Sequence, residues 1–521
     1  MSYFQQKEPP KREDRLNTCI VYGGTLGELA DKTKKCRCLN DGCRGFSQGS
    51  ICLLLPAIAI LNSIPDNVNL VHGAIGCGAC SHSQNANSRS GSGMRTGTVK
   101  DAVWLSTALN ETDVISGAEN KLYNAILEAD KLYRPKTITV IASCVPGIIG
   151  DDVDGVVERA RSQVSARIIP VHCEGFKTKI WATAYDAVYH GIARSIFDDP
   201  YLNEPLIKDD LYYQRLENKK SHTVNLFGVS SMGLADEQEL TRYLNALEQR
   251  TVNPFPCFAE PDSIYKLKYA GLSVCVCPTH DDYLLEHLKE EYGVPYIIRH
   301  MPIGVENTSS WIRDVAEVLG KSDIAERLIS RETAELNAAL EKYRPLFKGK
   351  RVFVSAGEFR ALATANLLRD LGFDVAGIRS FHHDEFANVE YEKLLKNVGS
   401  DIVINIANVQ PFEEANLLTS LKPDLFLGHW NGNSTATKLG IPSHVIYNTG
   451  LAYVGYRGVF ELARRLYRQL LNPAFNANLS RYVSLPYKKD WYGKNPFSYV
   501  KSNLDIPEDY QEDYPKEEAA R

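Results

Sequence analysis

The sequence lacks a long apolar run, an excess of basic residues and a phosphate-binding loop, and each absence excludes a class of protein. The apolar run from Ile51 to Leu61 has 11 residues, whereas a membrane-spanning helix needs about 20. A net charge of -5 and a pI near 6.2 leave no basic footprint for nucleic acid. No segment matches GxxxxGK[ST], so the chain is not expected to hydrolyse ATP itself.

The first residues, MSYFQQKEPPKREDR, also lack the apolar core of a secretory signal. We therefore expect a cytoplasmic protein. Its 12 cysteines are then reduced thiols, some of them metal ligands, rather than a disulfide framework. Cys19, Cys173, Cys257 and Cys275 are interpreted as plain buried thiols.

Apolar strands alternate with helical segments along most of the 521 residues. Examples are NLVHGAIG, TDVISG before a helix, and TITVIASC. This alternation is typical of parallel sheets with helical crossovers, and the length suggests about three such units. We predict an α/β protein with three Rossmann-like domains. The predicted ranges are an N-terminal arm 1–50, α/β domains 51–215, 216–347 and 348–471, and an irregular C-terminal tail 472–521.

The stretch VHGAIGCGACSHS, from Val71 to Ser83, follows an apolar run. It is interpreted as a glycine-rich turn that presents Cys77 and Cys80, because glycines let the backbone approach a bulky ligand closely. A second stretch, ITVIASCVPGIIGDD, places Cys144 at the carboxyl end of a predicted strand. Open α/β sheets bind their ligands at that edge.

Cys52, Cys77 and Cys144 together resemble the three-cysteine half-site of the nitrogenase component 1 superfamily. The resemblance lies in HGxxGCG and SCxPGxIGDD. It implies that Cys52, Cys77 and Cys144 ligate a P-cluster-type iron-sulfur cluster, [8Fe-7S] or related, shared with a homologous subunit. Cys43, in NDGCRG, is the alternative to Cys52. Metal clusters would then lie at a subunit interface and between domains.

The segment LSVCVCPTHDDYLLEHLKEEYG is predicted to contain the end of a strand, followed by a helix. The resemblance implies that Cys277 anchors a large iron-sulfur cofactor, FeMo-co-like or iron-only. A second anchor is expected from the third domain. His444 is the first candidate, and His382, His383 and Tyr447 are alternatives. Arg360, in SAGEFR, matches an arginine that family members place beside the cofactor.

Several pocket positions depart from dinitrogen-reducing relatives. Trp181 and Tyr185 stand where those relatives carry glutamine and histidine, Thr279 replaces an arginine, and Asn431 replaces a lysine. The result is a drier, more aromatic pocket. This pattern resembles the nitrogenase-like methylthio-alkane reductases, which cleave carbon–sulfur bonds and release methanethiol and a hydrocarbon.

That resemblance implies a catalytic D-type subunit in an α2β2 heterotetramer with a K-type subunit. An ATP-hydrolysing [4Fe-4S] reductase would supply electrons, and Tyr185, His280 or His444 would supply protons. No nucleic acid or membrane partner is expected. The alternatives are a nitrogenase α subunit, a scaffold on which the cofactor is assembled, and a cofactor-free structural protein. The sequence leaves open whether molybdenum, vanadium or iron caps the cofactor, and which organosulfur compound is the substrate.

Overall fold

The computed structural model describes residues 4, 6–35, 42–45, 51–197, 214, 217–228, 232–428, 430–446 and 450–502. The α-helices are α1 Arg12–Arg15, α2 Leu26–Lys35, α3 Leu54–Leu61, α4 Ile75–Thr96, α5 Glu111–Ser116, α6 Glu119–Tyr133, α7 Cys144–Ile149, α8 Val153–Arg161, α9 Thr183–Ile192, α10 Leu234–Ala246, α11 Pro261–Ile264, α12 Pro278–Tyr292, α13 Val305–Leu319, α14 Ser322–Leu340, α15 Arg344–Phe347, α16 Glu358–Asp370, α17 Asn388–Val398, α18 Pro411–Leu421, α19 Trp430–Lys438, α20 Gly455–Leu471 and α21 Ala474–Leu479. The strands are β1 Thr18–Cys19, β2 Tyr22–Thr25, β3 Gly42–Arg44, β4 Asn67–His72, β5 Val103–Ser106, β6 Thr137–Ala142, β7 Arg167–His172, β8 Thr223–Phe227, β9 Thr251–Phe255, β10 Leu272–Cys275, β11 Tyr296–Ile297, β12 Arg351–Ala356, β13 Asp374–Ser380, β14 His383–Asp384, β15 Val403–Ile406, β16 Leu425–Gly428, β17 Ser443–Val445 and β18 Val500–Ser502.

The chain divides into two compact units. The first unit comprises Met1–Arg15, Ile51–Tyr343 and Tyr447–Arg465, and the second comprises Leu16–Ser50, Arg344–Ile446 and Leu466–Arg521. The N-terminal range predicted as an arm is thus shared between the two units.

The first unit contains two four-stranded parallel sheets, in the orders β5-β4-β6-β7 and β11-β10-β8-β9. Every residue of β4 and β6 is buried, as expected for parallel strands covered on both faces. An apolar core that includes α3, α9 and α12 packs between these elements. The carboxyl ends of β4 and β6 lie side by side, because His72 pairs with Ala142.

The second unit contains a six-stranded sheet in the order β17-β16-β12-β13-β15-β2. Its strands are parallel except for β2, which runs antiparallel to β15. The predicted α/β class with parallel sheets is confirmed. The three large sheets draw most of their strands from residues 67–172, 223–297 and 351–445, and the domain boundaries themselves stay a prediction.

Two local predictions are wrong. TDVISG belongs to helix α5, because Asn110 accepts a hydrogen bond from the backbone N–H of Asp113 and forms a capping box. The strand beside β4 is instead β5, VWLS. The expected glycine turn around Cys77 is the first part of helix α4. The backbone is tightly packed on both sides of Cys77: a Cβ at Gly73 would collide with Ser143 Oγ, and a Cβ at Gly78 would lie 2.9 Å from Ser106 Cβ.

The described part of the tail is more regular than predicted. It contains α21, a 3-10 turn at Lys489–Gly493 with Trp491 buried, and β18, which pairs with β3. Among the described helices, none combines the length and apolar character needed to cross a membrane.

Candidate metal centres

Three of the predicted cluster ligands occupy the same edge of the first sheet. Cys77 lies in the first turn of α4, directly after β4, and Cys144 begins α7, directly after β6. Cys52 precedes α3. All three thiols are half-buried, so they are accessible to an incoming metal group.

Gly175 shows how closely two of these thiols approach each other. A Cβ placed at Gly175 would lie 2.7 Å from Cys52 Sγ and 3.5 Å from Cys144 Sγ. Glycine is therefore the residue that leaves room for both sulfur atoms. Sequence analysis missed this position, although Gly175 lies in CEGF, two residues after the predicted structural thiol Cys173.

The thiols also influence one another electrostatically. Burial raises the pKa of Cys52, a backbone N–H from Leu54 opposes this effect, and the neighbouring thiolates of Cys144, Cys77 and Cys80 raise it further. Mutual repulsion of this kind is relieved when thiolates bind a cation, so the donor set fits an iron-sulfur cluster. Beside Cys144, the buried hydroxyl of Ser143 has no hydrogen-bond partner among the described residues.

Cys43, the alternative to Cys52, belongs to the second unit. It lies in β3 and pairs with Lys501 of β18. The four thiols interpreted as structural, Cys19, Cys173, Cys257 and Cys275, are all buried.

Cys277 occupies the N-cap of α12, at the exit of β10. Its side chain is buried, and its backbone carbonyl accepts a hydrogen bond from the N–H of His280, at 3.0 Å. Pro278 begins the helix and suits that position because proline lacks the N–H that would be unsatisfied there. The predicted cofactor thiol is thus buried at the start of a helix of the first unit.

Aromatic side chains line this region. The rings of Tyr185 and His280 stack with centroids 3.8 Å apart and an interplanar angle of 10°. Trp181 meets both edge-on, at 6.1 Å from Tyr185 and 6.2 Å from His280. The structure therefore brings together two predicted proton donors, Tyr185 and His280, and the predicted pocket residue Trp181.

Thr279 provides a test of whether a polar ligand fits here. Its hydroxyl is buried and has no hydrogen-bond partner among the described residues. A buried hydroxyl without a partner costs free energy, so a bound group with acceptor atoms would satisfy it. Together with the thiol of Cys277, this donor set fits a sulfide-rich cofactor.

Cys275, two residues before Cys277, has a different environment. It donates to Asp281 at 3.2 Å, and Tyr189 donates to the same carboxylate at 2.8 Å. Burial raises the pKa of Asp281 to about 7, although both hydrogen bonds lower it. Cys275 is therefore held inside a hydrogen-bond network, as its structural interpretation predicts.

The helices that carry the aromatic stack are joined by buried ion pairs to the N-terminal segment. Arg12 donates to Asp282 at 2.9 Å, and Arg15 donates to Asp282 at 2.8 Å and to Asp186 at 2.7 Å. Burial would lower the pKa of Arg15, but the charges of Asp186 and Asp282 raise it above the ordinary value. Sequence analysis missed this cluster. Its only signal was the unusual charge density of KREDR.

The remaining predicted cofactor residues belong to the second unit. Arg360 is buried in α16, and His444 is buried in β17. His383 lies 2.7 Å from Glu358 through Nδ1, and His382 lies 3.6 Å from Asp384. Tyr447 lies outside the described residues, and the side chain of Asn431 is not described.

Residues 52–471 match the family described as nitrogenase component 1 type oxidoreductases. This chain belongs to that family. The match includes Cys52, Cys77, Cys144, Cys277 and His444 and covers parts of both compact units. It therefore contains the stretches around Cys77 and Cys144 on which the resemblance depends.

Individual relatives point to two kinds of nitrogenase protein. The cofactor biosynthesis protein NifE of Nostoc sp. strain PCC 7120 is 29% identical over 453 residues, covering 86% of this chain and 87% of the relative. The nitrogenase molybdenum-iron protein alpha chain of Methanosarcina barkeri is 26% identical over 482 residues, covering 83% and 86%. Among solved structures, nitrogenase Cp1 at pH 5 superposes with a TM-score of 0.67 at 22% identity, covering 89% of this chain and 100% of that one. This structural likeness supports the fold.

Proposed function

We propose that this chain is the catalytic D-type subunit of a nitrogenase-like reductase that cleaves carbon–sulfur bonds of small methylthio-alkanes. The net reaction is R–S–CH3 plus two electrons and two protons to R–H plus methanethiol. The observation that carries the proposal is the stack of Tyr185 on His280, edged by Trp181, directly beside the Cys277 N-cap. Aromatic surfaces favour an apolar thioether over a small polar substrate.

Each residue has a defined part in this proposal. Cys277 would hold a large iron-sulfur cofactor, with His444 as second anchor and Arg360 as a cation that offsets its negative charge. When bound, that cofactor supplies the reducing electrons. Tyr185 and His280 hold transferable protons on stacked rings, and Trp181 excludes bulk water from their edges.

The half-site of Cys52, Cys77 and Cys144 would hold the cluster through which electrons enter. Exposed apolar side chains surround this edge: Ile75 at the start of α4, Ile148 in α7 and Phe176 beside Gly175. A contiguous exposed apolar surface is typical of a protein interface. It supports the proposed K-type subunit, with the ATP-hydrolysing [4Fe-4S] reductase as electron donor, in an α2β2 assembly.

The first test uses the complex purified anaerobically with its partner subunit. Iron, sulfide and molybdenum are quantified, and methanethiol release from ethyl methyl sulfide is measured with the reductase and ATP. Cys277→Ser is expected to lose cofactor iron but retain the half-site iron. Acetylene and dinitrogen reduction are measured in parallel. Efficient dinitrogen reduction without methanethiol release would replace the proposal with a nitrogenase α subunit.

The second test addresses proton supply through Tyr185→Phe, His280→Gln and His444→Gln. Loss of a general acid typically costs 10²–10⁴-fold in rate, so at least one variant should show a fall of about 100-fold with unchanged iron content. Tyr265→Phe, a half-buried tyrosine that pairs with Tyr269, is the matched control. Unchanged rates in all three variants would remove the proton relay.

A second candidate function is a scaffold on which the cofactor is assembled and from which it is passed on. The similarity to NifE proteins favours it. A scaffold would bind the cofactor, release it to an apo-nitrogenase and show no turnover with the reductase. A catalytic subunit would retain the cofactor through many turnovers.

A further inference from the structure

A buried cluster of histidine and carboxylate side chains lies in the second unit, at the start of α16 and beside β14. Glu358, His382 and Asp384 each offer one ligand atom, and these three atoms lie within 4.8 Å of one another. Each of the three residues is at most 1% exposed. Imidazole nitrogen and carboxylate oxygen are ligands that zinc and similar divalent ions take in proteins. The cluster therefore has the donor atoms of a metal site.

The spacing of these atoms suits a single ion. A tetrahedral ion with bonds of about 2.1 Å holds its ligand atoms about 3.4 Å apart. His382 Nε2 lies 3.6 Å from Asp384 Oδ2, which is close to that value. Because no two of the three atoms are separated by more than 4.8 Å, binding requires only small changes in the side-chain torsion angles.

Hydrogen bonds hold the two carboxylates in place. His383 donates through Nδ1 to Oε1 of Glu358 at 2.7 Å, and the backbone N–H of Asp384 donates to Oε2 of the same carboxylate at 2.9 Å. The backbone N–H of Phe386 donates to Oδ1 of Asp384 at 3.2 Å, whereas Oδ2 is the oxygen near His382. Carboxylates that bind a metal are typically oriented by hydrogen bonds of this kind.

The backbone around the cluster is also fixed. β14 pairs antiparallel with β1, and Cys19 lies opposite His383 in this pairing. The hydroxyl of Ser380 donates to the carbonyl oxygen of His382 at 2.6 Å. The thiol of Cys19 donates to the carbonyl oxygen of Val21 at 3.3 Å, so we do not count it among the ligands. A strand pair and the start of a helix thus present the donor atoms, and rigid elements of this kind hold a site precisely.

The charges of the cluster give a physical reason for a bound cation. A buried carboxylate is costly unless it is paired with a positive charge or coordinates a metal. Glu358 forms an ion pair with His383 and, among the residues that the structure describes, with no lysine or arginine. Asp384 is a second carboxylate at the same place. One divalent cation would balance both negative charges and leave His382 neutral, as a metal ligand must be.

We propose that Glu358, His382 and Asp384 bind one divalent ion of the zinc type. His383 positions Glu358 for that role. The ion would join β14 to the start of α16, the helix that carries Arg360, and its role would be structural. The inference goes beyond the proposed function, because the site uses none of the thiols and takes no part in the transfer of electrons or protons.

The first measurement uses the complex purified anaerobically with its partner subunit, so that iron is already bound to its thiols when zinc is added. The complex is treated with EDTA, dialysed and titrated with zinc. Bound zinc is counted by mass spectrometry, and its neighbours are identified by X-ray absorption at the zinc edge. We expect nitrogen and oxygen neighbours at about 2.0–2.2 Å, whereas zinc held by thiolates would show sulfur at about 2.3 Å.

Substitutions test which residues hold the ion. Glu358→Gln and Asp384→Asn keep the side-chain size but remove the charge, and each should lose the zinc bound by nitrogen and oxygen. His383→Ala should weaken zinc binding about 10–100-fold without changing the number of sites, as is typical of a residue that orients a ligand. His383→Asn, whose amide can still donate to Glu358, should recover part of this loss. His300→Gln is the matched control, because His300 lies 4.0 Å from Asp314 in the first unit, and it should leave zinc binding unchanged.

Three outcomes would overturn the inference. The first is an unsubstituted complex without nitrogen- and oxygen-bound zinc, which would show that protonated histidines balance the carboxylates. The second is unchanged zinc binding in both Glu358→Gln and Asp384→Asn. The third is a loss of iron and molybdenum together with zinc in His382→Gln, which would assign His382 to the large cofactor.

These measurements are independent of the proposed reaction. Unchanged iron content shows that each variant has folded and assembled, and none of the readouts involves methanethiol release. Failure of the proposed reaction therefore leaves the zinc result intact, and the absence of zinc leaves the proposed reaction testable.

Discussion

The two cysteine sites of the first unit differ in how far they are exposed. At the sheet edge, the thiols of Cys52, Cys77, Cys80 and Cys144 are half-buried, and neighbouring Ile148 is 71% exposed. Cys277 is only 6% exposed and lies at the start of a helix whose first residues are almost all buried. One site is open to another protein, and the other is enclosed.

The difference has a physical cause in the elements that cover each site. Cys77 and Cys144 lie in the first turns of α4 and α7, at the ends of adjacent strands, where the first unit leaves apolar side chains exposed. The Cys277 region is covered by α9 and by the N-terminal segment, in which Phe4 stacks on Tyr283 and His287. An open site suits electron entry from a partner, and an enclosed site suits chemistry that must exclude water.

The largest expected effect comes from breaking the buried ion pairs beside the enclosed site. Arg12→Gln removes the guanidinium that lies between Asp186 and Asp282. Leaving a buried charge uncompensated typically costs about 3–5 kcal/mol. We expect a loss of that size in the free energy of unfolding, measured by urea denaturation of the full chain.

The matched control for this variant lies in the same N-terminal segment. Lys7 forms an exposed ion pair with Asp152 at 3.5 Å, and such pairs contribute little to stability. Lys7→Gln should therefore unfold at nearly the same urea concentration as the unsubstituted chain. If Arg12→Gln also left the urea midpoint unchanged, the stability of the enclosed site would not depend on its buried charges.

The free energy of unfolding is expected to depend on pH through His172, at the sheet edge that carries the cluster thiols. Burial lowers the pKa of His172, but hydrogen bonds with Asp154 and Glu174 outweigh burial and raise it to about 9. Because the folded pKa lies above the ordinary value near 6.5, the stabilisation is fully present below pH 6.5. It is lost as the pH rises through 9 and amounts to at most about 3 kcal/mol.

The measurement is the difference in unfolding free energy between the unsubstituted chain and His172→Gln at several pH values from 6 to 9.5. Thiol ionisation affects both proteins and cancels in the difference. The difference should shrink as the pH rises. A difference that stays constant with pH would show that His172 contributes by packing rather than by charge.

The smallest expected effect concerns the space that Gly175 leaves beside the thiols of the open site. Gly175→Ala places a methyl group against Cys52 Sγ and Cys144 Sγ. We therefore expect the complex with its partner subunit, reconstituted anaerobically with ferrous iron and sulfide, to bind about threefold less iron while this chain retains its fold. Gly76→Ala, in α4 beside Cys77, meets no atom within 4 Å and should load normally. Equal iron content in the two variants would show that the thiols are not confined by residue 175.

Much of the fold followed from local patterns. The strands predicted at the start of NLVHGAIG and TITVIASC both form, because continuous apolar runs of that length suit strands buried on both faces. TDVISG was predicted incorrectly, because its capping residue Asn110 lies outside the apolar pattern on which the prediction depended.

The candidate sites were predicted only in part. Cysteines at strand ends could be recognised because parallel strands bring their carboxyl ends to one edge. The contact of Gly175 with Cys52 and the pairing of Arg12 and Arg15 with Asp186 and Asp282 could not be recognised, because these contacts join residues more than a hundred positions apart.

The sequence by itself determined the α/β class, the family and which cysteines are candidate cluster ligands, since these depend on periodicity and on short motifs. Only the tertiary structure decided which thiols meet, that Tyr185 stacks on His280, and that the N-terminal segment covers the enclosed site. Contacts between distant segments depend on how the sheets and helices pack, and local sequence carries little information about that packing.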